Sequence, residues 1–212
     1  MVSSDCRILT SSNSIFFSKS ITLLKDEYLY REGEICDSII YIEKGRINLY
    51  KDLNDKRMLF WLTVAPEIIG LTSFLNNDST YNLSAIVAED SVVKTIKPKC
   101  FLEILKNNGD YKRAIMSDLS KRINTMHIHT QIYIKGNAKQ KVLNTLTDKE
   151  FNRGLFEQSA CGLTINEISD INGLVLHNTK AILNNLACKG IISINEDIIN
   201  ILDYRKLHKE IT

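Results

Sequence analysis

The sequence predicts an α+β protein in three parts: an N-terminal β-roll, a long central helix and a C-terminal winged helix-turn-helix. Three observations lead to this prediction. Short β-like runs separated by turn residues fill the region 28–97, no Gly or Pro interrupts 110–134, and the region 164–202 joins two amphipathic patterns to two β-branched runs. The predicted boundaries are 1–109, 110–135 and 136–212.

Composition limits the class of protein. The 212 residues are 44% hydrophobic and 25% charged, which is typical of globular domains and is enough for two of them. No run of about 18 apolar residues suggests a membrane span, and the polar start around Asp5 and Arg7 does not resemble a secretory signal. We therefore expect a cytoplasmic protein with no membrane partner.

The five cysteines do not form a recognisable ligand pattern. They are odd in number, widely spaced, and have no C-x-x-C pair. We therefore expect no disulfide, no metal site and no cofactor. A small apolar role is favoured for each, and a free thiol acting as a redox switch is the alternative. The cysteines are Cys6, Cys36, Cys100, Cys161 and Cys188.

The N-terminal region is rich in strand signals. Residues 37–50 contain an apolar run, a Lys44-Gly45 pair and an alternating run, which predicts a β-hairpin turning at Gly45. Further β-like runs cover 58–64, 84–87 and 91–96. Many short strands at close spacing indicate a sandwich or jelly-roll.

The central helix carries a heptad seam. Its apolar positions follow a 3-4-3-4-3 spacing, which favours a homodimer over a helix packed only on its own domain. His127 and His129 are two residues apart and point to different faces, so a metal site within one chain is disfavoured. Ordinary histidines on a polar face are favoured, and a metal or haem site shared across the dimer is the alternative. The segment 135–137 ends the helix and forms a candidate hinge. The seam residues are Met116, Leu119, Ile123, Met126, Thr130 and Tyr133.

The C-terminal pattern begins with a capping box, in which Thr164 caps a helix and Glu167 reaches back to the cap amide. Asn172-Gly173 ends this helix, and a second helix runs from near Leu176 to Lys189-Gly190. The second helix turns Thr179, Ile182, Leu183 and Leu186 inward and leaves His177, Asn178, Lys180, Ala181 and Asn184 outward.

Two β-branched runs, 191–194 and 198–202, follow the second helix and predict a hairpin wing. Two helices, a turn and a wing in this order favour binding to double-stranded DNA. Two core helices of another small domain are the alternative. Residues 136–212 carry nine basic and nine acidic side chains, which disfavours strong non-specific binding.

The β-like region also contains a distinctive set of residues: Gly33, Glu34, Asp37, Ile39, Tyr41, Ile42, Gly45, Ile47 and Leu49, then Ile68-Ile69-Gly70 and Ser84-Ala85. Together with the features above, this set resembles the Crp/Fnr family of bacterial transcription regulators, which includes the cyclic-AMP receptor protein. The resemblance extends over nearly the whole chain. It implies a cyclic-nucleotide-binding-like β-roll, a homodimer, a palindromic DNA operator, and RNA polymerase and a small effector as further partners. It also implies that changes at the pocket reorient the DNA-binding domains through the hinge near Gly136.

Departures from the family affect the pocket. Members that bind cyclic AMP have a Glu after the Gly and an Arg before Ser-Ala, where this chain has Leu71 and Leu83. A phosphate would lose its charge-assisted pair, so we expect no cyclic nucleotide. The pocket either takes a more apolar effector or is filled by its own side chains. By resemblance its residues are Gly70, Leu71, Leu83, Ser84, Met126 and His127.

The predicted DNA contacts also depart from the family. Its usual Arg, Glu and Arg correspond to Leu176, His177 and Ala181. Val175 cannot cap the second helix, which predicts a frayed start without DNA. The expected contacts are His177, Asn178, Lys180 and Asn184.

No catalytic arrangement stands out, and we expect no enzyme. The alternative to a DNA-binding regulator is a dimeric effector-sensing or protein-interaction module with weakened DNA binding.

Overall fold

The computed structural model describes residues 20–53, 56–76, 80–148 and 160–211. Within these ranges the chain divides into two compact units. The first contains 20–53, 56 and 60–122, and the second contains 57–59 and 123–211. The division falls inside the long helix, so the three-part boundaries stay a prediction, whereas the predicted α+β fold class is confirmed.

An antiparallel sheet forms the first unit. Its strands run in the order β1-β6-β3-β4, with β2 paired to β6 and β5 paired to β3. The strands are β1 (Ile21–Leu23), β2 (Tyr28–Tyr30), β3 (Ile39–Leu53), β4 (Lys56–Val64), β5 (Glu67–Ile69) and β6 (Ser84–Ile96).

The hairpin predicted at Lys44-Gly45 is wrong, because β3 runs through these residues without turning. The register against β6 shifts on both sides of Lys44, so the pair lies in a bulge. Gly45 has φ +94°, and a Cβ there would lie 2.7 Å from the Asp90 carbonyl oxygen. Glycine therefore fits a close crossing of β3 and β6.

Both faces of β3 are covered, since successive side chains of a strand point to opposite faces. Ile40 and Ile42 pack in one buried cluster, whereas Ile39 and Tyr41 pack in another. The second cluster includes residues of α1 (Leu71–Leu75) and α2 (Pro98–Asn107). Buried apolar side chains are thus packed against both faces of the sheet at β3.

The long helix α3 (Gly109–Lys135) is followed by α4 (Ala138–Thr147). At the break, the Gly136 amide donates to the Ile132 carbonyl at 2.8 Å, and a Cβ on Gly136 would lie 2.6 Å from that oxygen. Asn137 and Gln140 then cap α4 reciprocally. No helix within the described ranges is long and apolar enough to cross a bilayer.

The second unit is a helical cluster with a small sheet. Its remaining elements are β7 (Ala160–Thr164), α5 (Ile165–Asn172), α6 (Leu176–Cys188), β8 (Ile192–Asn195), β9 (Ile198–Ile201) and α7 (Tyr204–Lys209). The sheet order is β7-β9-β8. Its buried core includes Leu143 and Leu146 of α4, Ile168 of α5, and Leu183 and Leu186 of α6.

Candidate nucleic-acid interface and effector cavity

The predicted helix-turn-helix is present as α5 and α6. The Thr164 hydroxyl accepts from the Glu167 amide at 3.2 Å, and the Glu167 carboxylate accepts from the Thr164 amide at 2.9 Å. Gly173 ends α5 with φ 60°. The capping box and the turn predicted from the sequence are thus confirmed, and both are local features of the chain.

Helix α6 begins at Leu176, directly after Val175, whose side chain makes no capping hydrogen bond. Thr179, Leu183 and Leu186 are buried. The opposite side, which we call the exposed face of α6, consists of His177, Asn178, Lys180, Ala181 and Asn184. The face contains no carboxylate. It starts at the N-terminal end of α6, and in helix-turn-helix proteins the N-terminal residues of the second helix contact bases in the major groove.

A buried polar network joins α4, α5 and α6. The Asn172 amide donates to Thr145 Oγ1 at 2.9 Å and to the Ile168 carbonyl at 2.8 Å. Ser169 donates to the Leu174 carbonyl at 2.8 Å and accepts from Thr179 at 3.4 Å. These contacts fix the turn between α5 and α6. Sequence reasoning missed them, because polar residues in a helical pattern do not reveal which of them are buried.

The wing is also present. Strands β8 and β9 pair from Ile192 with Ile201 to Asn195 with Ile198. Glu196 and Asp197 form its two-residue turn with φ 48° and 67°. Strand β7 adds a third strand, whereas the polar sequence from 148 to 162 predicts a connector that overlaps the start of this strand. The part of that connector at 149–159 lies outside the described residues.

Two lysines of this unit share one carboxylate. Glu210 lies 2.5 Å from Nζ of Lys139, in the first turn of α4, and 2.6 Å from Nζ of Lys189, at the end of α6. Hydrogen bonds from Lys139 and Lys189 lower the pKa of Glu210 to about 2. Lys189 is therefore engaged within the protein, at the opposite end of α6 from Val175.

The first unit contains a small cavity at the position of the expected effector pocket. Its volume is about 30 Å³, which is room for one or two water molecules. Its lining includes Gly70, Leu71 and Leu83, three of the six residues predicted for the pocket. The other lining residues are Tyr30, Leu49, Ile69, Thr72, Ser73, Asn82, Leu119 and Arg122.

An ion pair closes the helix side of this cavity. Arg122 Nη2 lies 2.6 Å from Glu67 Oε1, and the two side chains are only 18% and 10% exposed. The guanidinium also bonds Asp118 at 2.9 Å and the Ile68 carbonyl at 3.2 Å, and it lies 5.9 Å from the Trp61 ring. This pair joins α3 to β5, and no local sequence pattern indicates it.

Aromatic stacking fills another side of the cavity. The rings of Tyr30 and Tyr81 stack with centroids 3.7 Å apart, and the Tyr81 hydroxyl donates to the Ser38 carbonyl at 2.7 Å. Burial raises the pKa of both tyrosine hydroxyls far above the ordinary value, so both are neutral. Ser84 does not line the cavity, and its Oγ accepts from the Glu32 amide at 3.0 Å.

The long helix places the predicted seam residues differently from one another. Met116 and Ile123 are 68% and 67% exposed, and Met126 is 40% exposed. Leu119, by contrast, packs against the core of its own unit and lines the cavity. Ile134, which the seam omitted, is 74% exposed.

The C-terminal part of α3 carries further residues that were predicted for the pocket and for the seam. His127 is exposed and bonds Gln131 at 3.0 Å. Thr130 donates to the Met126 carbonyl at 2.8 Å. The side chains of Tyr133 and His129 lie outside the described residues. The roles predicted for these positions stay predictions.

The cysteines of the described ranges differ in their surroundings. Cys36 lies beside the cavity, where its thiol is 3.9 Å from the Gly70 carbonyl, and burial raises its pKa. Cys100 is partly buried against the core, whereas Cys188 is exposed. Cys6 and the side chain of Cys161 lie outside the described residues. A raised pKa disfavours a reactive thiolate at Cys36.

Comparisons with known proteins agree with this architecture. Residues 20–108 match the family model of the cyclic nucleotide-binding domain. The chain is 24% identical over 220 residues to the anaerobic regulatory protein of Bacillus subtilis, with 99% of this chain and 90% of that protein covered. The first unit is thus a domain of the cyclic-nucleotide-binding type. In this chain it is followed by a winged helix-turn-helix.

Solved structures extend the likeness in fold to about nine tenths of the chain. FixK2 from Bradyrhizobium japonicum superposes with a TM-score of 0.77 at 21% identity, covering 90% of this chain and 95% of that one. A transcriptional regulator of the CRP/FNR family from Thermus thermophilus gives a TM-score of 0.71 at 14% identity, covering 91% and 98%. The resemblance to the Crp/Fnr family is confirmed.

Proposed function

We propose that this protein is a homodimeric, sequence-specific DNA-binding transcription regulator that acts without a cyclic nucleotide. The observation that supports the proposal is the exposed face of α6, where His177, Asn178, Lys180 and Asn184 lie along the first three turns of the helix without a carboxylate. Amide, imidazole and ammonium groups are suited to base edges and phosphates. The predicted contact residues therefore stand as the proposed DNA contacts.

The experiment that tests DNA binding is a selection from random DNA fragments with purified full-length protein at moderate salt. We expect a two-fold symmetric motif with half-sites about one helical turn apart, roughly 34 Å. Recovery of no motif, even with cell extract added to supply an effector, would contradict the proposal. That result would favour the protein-interaction module, which the neutral charge of residues 136–212 also fits.

A second copy of the chain is the proposed partner of the long helix. Met116, Ile123 and Ile134 expose apolar side chains along α3 to solvent, and they lie seven and eleven residues apart, on nearly the same side of a helix. Burial between two such helices removes this surface from water. The dimer in turn supplies the two-fold symmetry that a palindromic operator requires.

Light scattering on Ile123→Glu tests the dimer. We expect the variant to be monomeric at concentrations where the parent protein is dimeric, because two like charges would face each other across the seam. Leu102→Glu on α2 is the matched control, since Leu102 is also an exposed apolar residue, at 41%. A dimeric Ile123→Glu variant would contradict the proposed interface.

The small volume of the cavity supports the proposed independence from cyclic nucleotides. Small-molecule pockets typically measure about 300–1,000 Å³, against about 30 Å³ here. Leu71 and Leu83 offer no partner for a ribose hydroxyl or a phosphate, and Arg122 is engaged by Glu67 and Asp118. Calorimetry with cyclic AMP and cyclic GMP should show no binding, and saturable binding below about 1 mM would overturn this part of the proposal.

A further inference from the structure

We propose that α6 selects half-sites made largely of A·T pairs, with Val175 and Leu176 contacting the methyl groups of thymine. The inference deepens the proposed function and rests on it. It gives a role in DNA contact to Val175 and Leu176, which are not among the proposed polar contacts.

Two apolar side chains at the start of α6 are exposed. Val175 and Leu176 are adjacent, and they are 64% and 38% exposed. They occupy the cap and the first position of α6, where polar caps are preferred. An apolar pair at the end of the helix that enters the groove is therefore placed against bases rather than against the protein core.

Three exposed residues of α6 form a row along the helix. The period of 3.6 residues puts His177, Ala181 and Asn184 in one row along the exposed face. Ala181 gives this row a methyl group at its centre, one turn after His177. The surface that follows the groove thus begins with apolar side chains and has a further methyl in the middle.

Thymine and adenine present groups in the major groove that suit the side chains of α6. In the major groove, thymine alone among the four bases presents a methyl group, and apolar side chains contact it. Asn side chains pair with the donor and acceptor of adenine. Asn178 and Asn184 supply such amides, so the two halves of an A·T pair both find suitable partners on α6.

Guanine has fewer suitable partners on α6, because its commonest specific partner is a bidentate Arg or Lys. Residues 174–190 contain no arginine, and their two cations are Lys180 and Lys189. Glu210 engages Lys189 at 2.6 Å. Lys180 lies at the edge of the exposed face, beside the row of His177 and Ala181, and we assign it to a phosphate.

The test uses the operator recovered by the selection and replaces thymine with deoxyuridine at one position at a time. This change removes only the methyl group. With the full-length protein, we expect affinity to fall about three- to fivefold at two or more positions of each half-site, the effect of one buried methyl group.

Protein variants then assign each methyl group. With Val175→Ala or Leu176→Ala, the loss caused by deoxyuridine should disappear at the position that the side chain contacts. Leu202→Ala is the matched control, since Leu202 is an exposed apolar residue of the same unit, at 61%, and should leave all the losses unchanged.

The outcomes separate this inference from the proposed function. A symmetric operator whose half-sites are mainly G·C, or one that tolerates deoxyuridine throughout, would overturn the A·T selection and leave the DNA-binding regulator intact. Failure to recover any symmetric operator would overturn both.

Discussion

The cavity of the first unit and the exposed face of α6 in the second unit differ in how their polar groups are used. At the cavity, Arg122 is bonded to Glu67 and Asp118, and the Tyr81 hydroxyl is bonded to Ser38. On α6, the polar side chains of the face stand in solvent. One region directs its polar groups inward, and the other presents them outward.

Substitutions in the two regions should therefore have different effects. Side chains that bond one another in a nearly closed space contribute to folding free energy, because removing one leaves its partner desolvated. Exposed side chains contribute little to folding and are available for a partner. Substitutions at the cavity should therefore change stability, whereas substitutions on the face should change binding.

Arg122→Ala is expected to have the largest effect. It leaves the Glu67 carboxylate in a site where its side chain is only 10% exposed, so the free energy of unfolding should fall by about 3 kcal/mol. Urea unfolding followed by fluorescence measures this in the correct region, because Trp61 is the single tryptophan of the chain.

Lys94→Ala is the control for that measurement. Its ion pair with Glu43, at 2.7 Å, is more exposed, at 27% and 39%, so a loss of at most about 1 kcal/mol is expected. Equal effects of the two variants would mean that the Arg122 pair behaves as a surface contact.

Lys180→Ala, on the exposed face of α6, should change binding rather than stability. The free energy of unfolding should stay within about 0.5 kcal/mol of the parent, whereas operator affinity should fall about tenfold. If Lys180 contacts a phosphate, the slope of log affinity against log salt should also decrease by about 1. Fluorescence anisotropy over a salt series measures both the affinity and its slope.

Lys209→Ala provides the same charge change on α7 of the same unit, where Lys209 is exposed. An equal loss of affinity in this control would show that net charge, and not the position of Lys180 on α6, determines binding.

Tyr81→Phe removes only the hydroxyl that donates to the Ser38 carbonyl at 2.7 Å. The stacked ring remains, so the loss of stability should be about 1 kcal/mol, the usual contribution of one hydrogen bond. Thermal unfolding measures it. An unchanged midpoint would show that water replaces the Tyr81 hydroxyl at Ser38 and that this side of the cavity is wetter than the contacts indicate.

Glu210→Gln should have the smallest effect and a distinctive pH dependence. Lys139 and Lys189 depress the pKa of Glu210 to about 2 from an ordinary value of 4.5. A carboxyl group with a depressed pKa stabilises the folded state above its unfolded pKa. The stability difference between parent and variant should thus be constant above pH 4.5 and should vanish as the pH falls towards 2. Paired thermal melts from pH 7 to pH 2 measure it, and a difference that does not depend on pH would contradict the assignment.

The helix-turn-helix could be predicted closely because its signals are local. The capping box of Thr164 and Glu167, the left-handed Gly173 and the helical period of α6 each involve residues within one or two turns of each other. The strands of the wing were predicted to within one residue for the same reason.

The errors and omissions arise where distant residues meet. Gly45 suggested a turn, but the approach of Asp90 makes it a bulge in a continuous strand. Leu119 fits the heptad seam, yet it packs against its own core. Periodicity gives the spacing of apolar side chains along a helix, and it does not tell which surface covers each of them.

By itself, the sequence determined the fold class, the order of β-roll, long helix and winged helix-turn-helix, and the outward residues of α6, because helical and strand periods, caps and turn residues act over a few positions. Only the tertiary structure decided that Arg122 forms an ion pair with Glu67, that Tyr30 stacks on Tyr81, and that the cavity has a volume of only about 30 Å³. These contacts join residues far apart in the chain. Their partners are fixed by packing and by the need to pair buried polar groups, which no local pattern encodes.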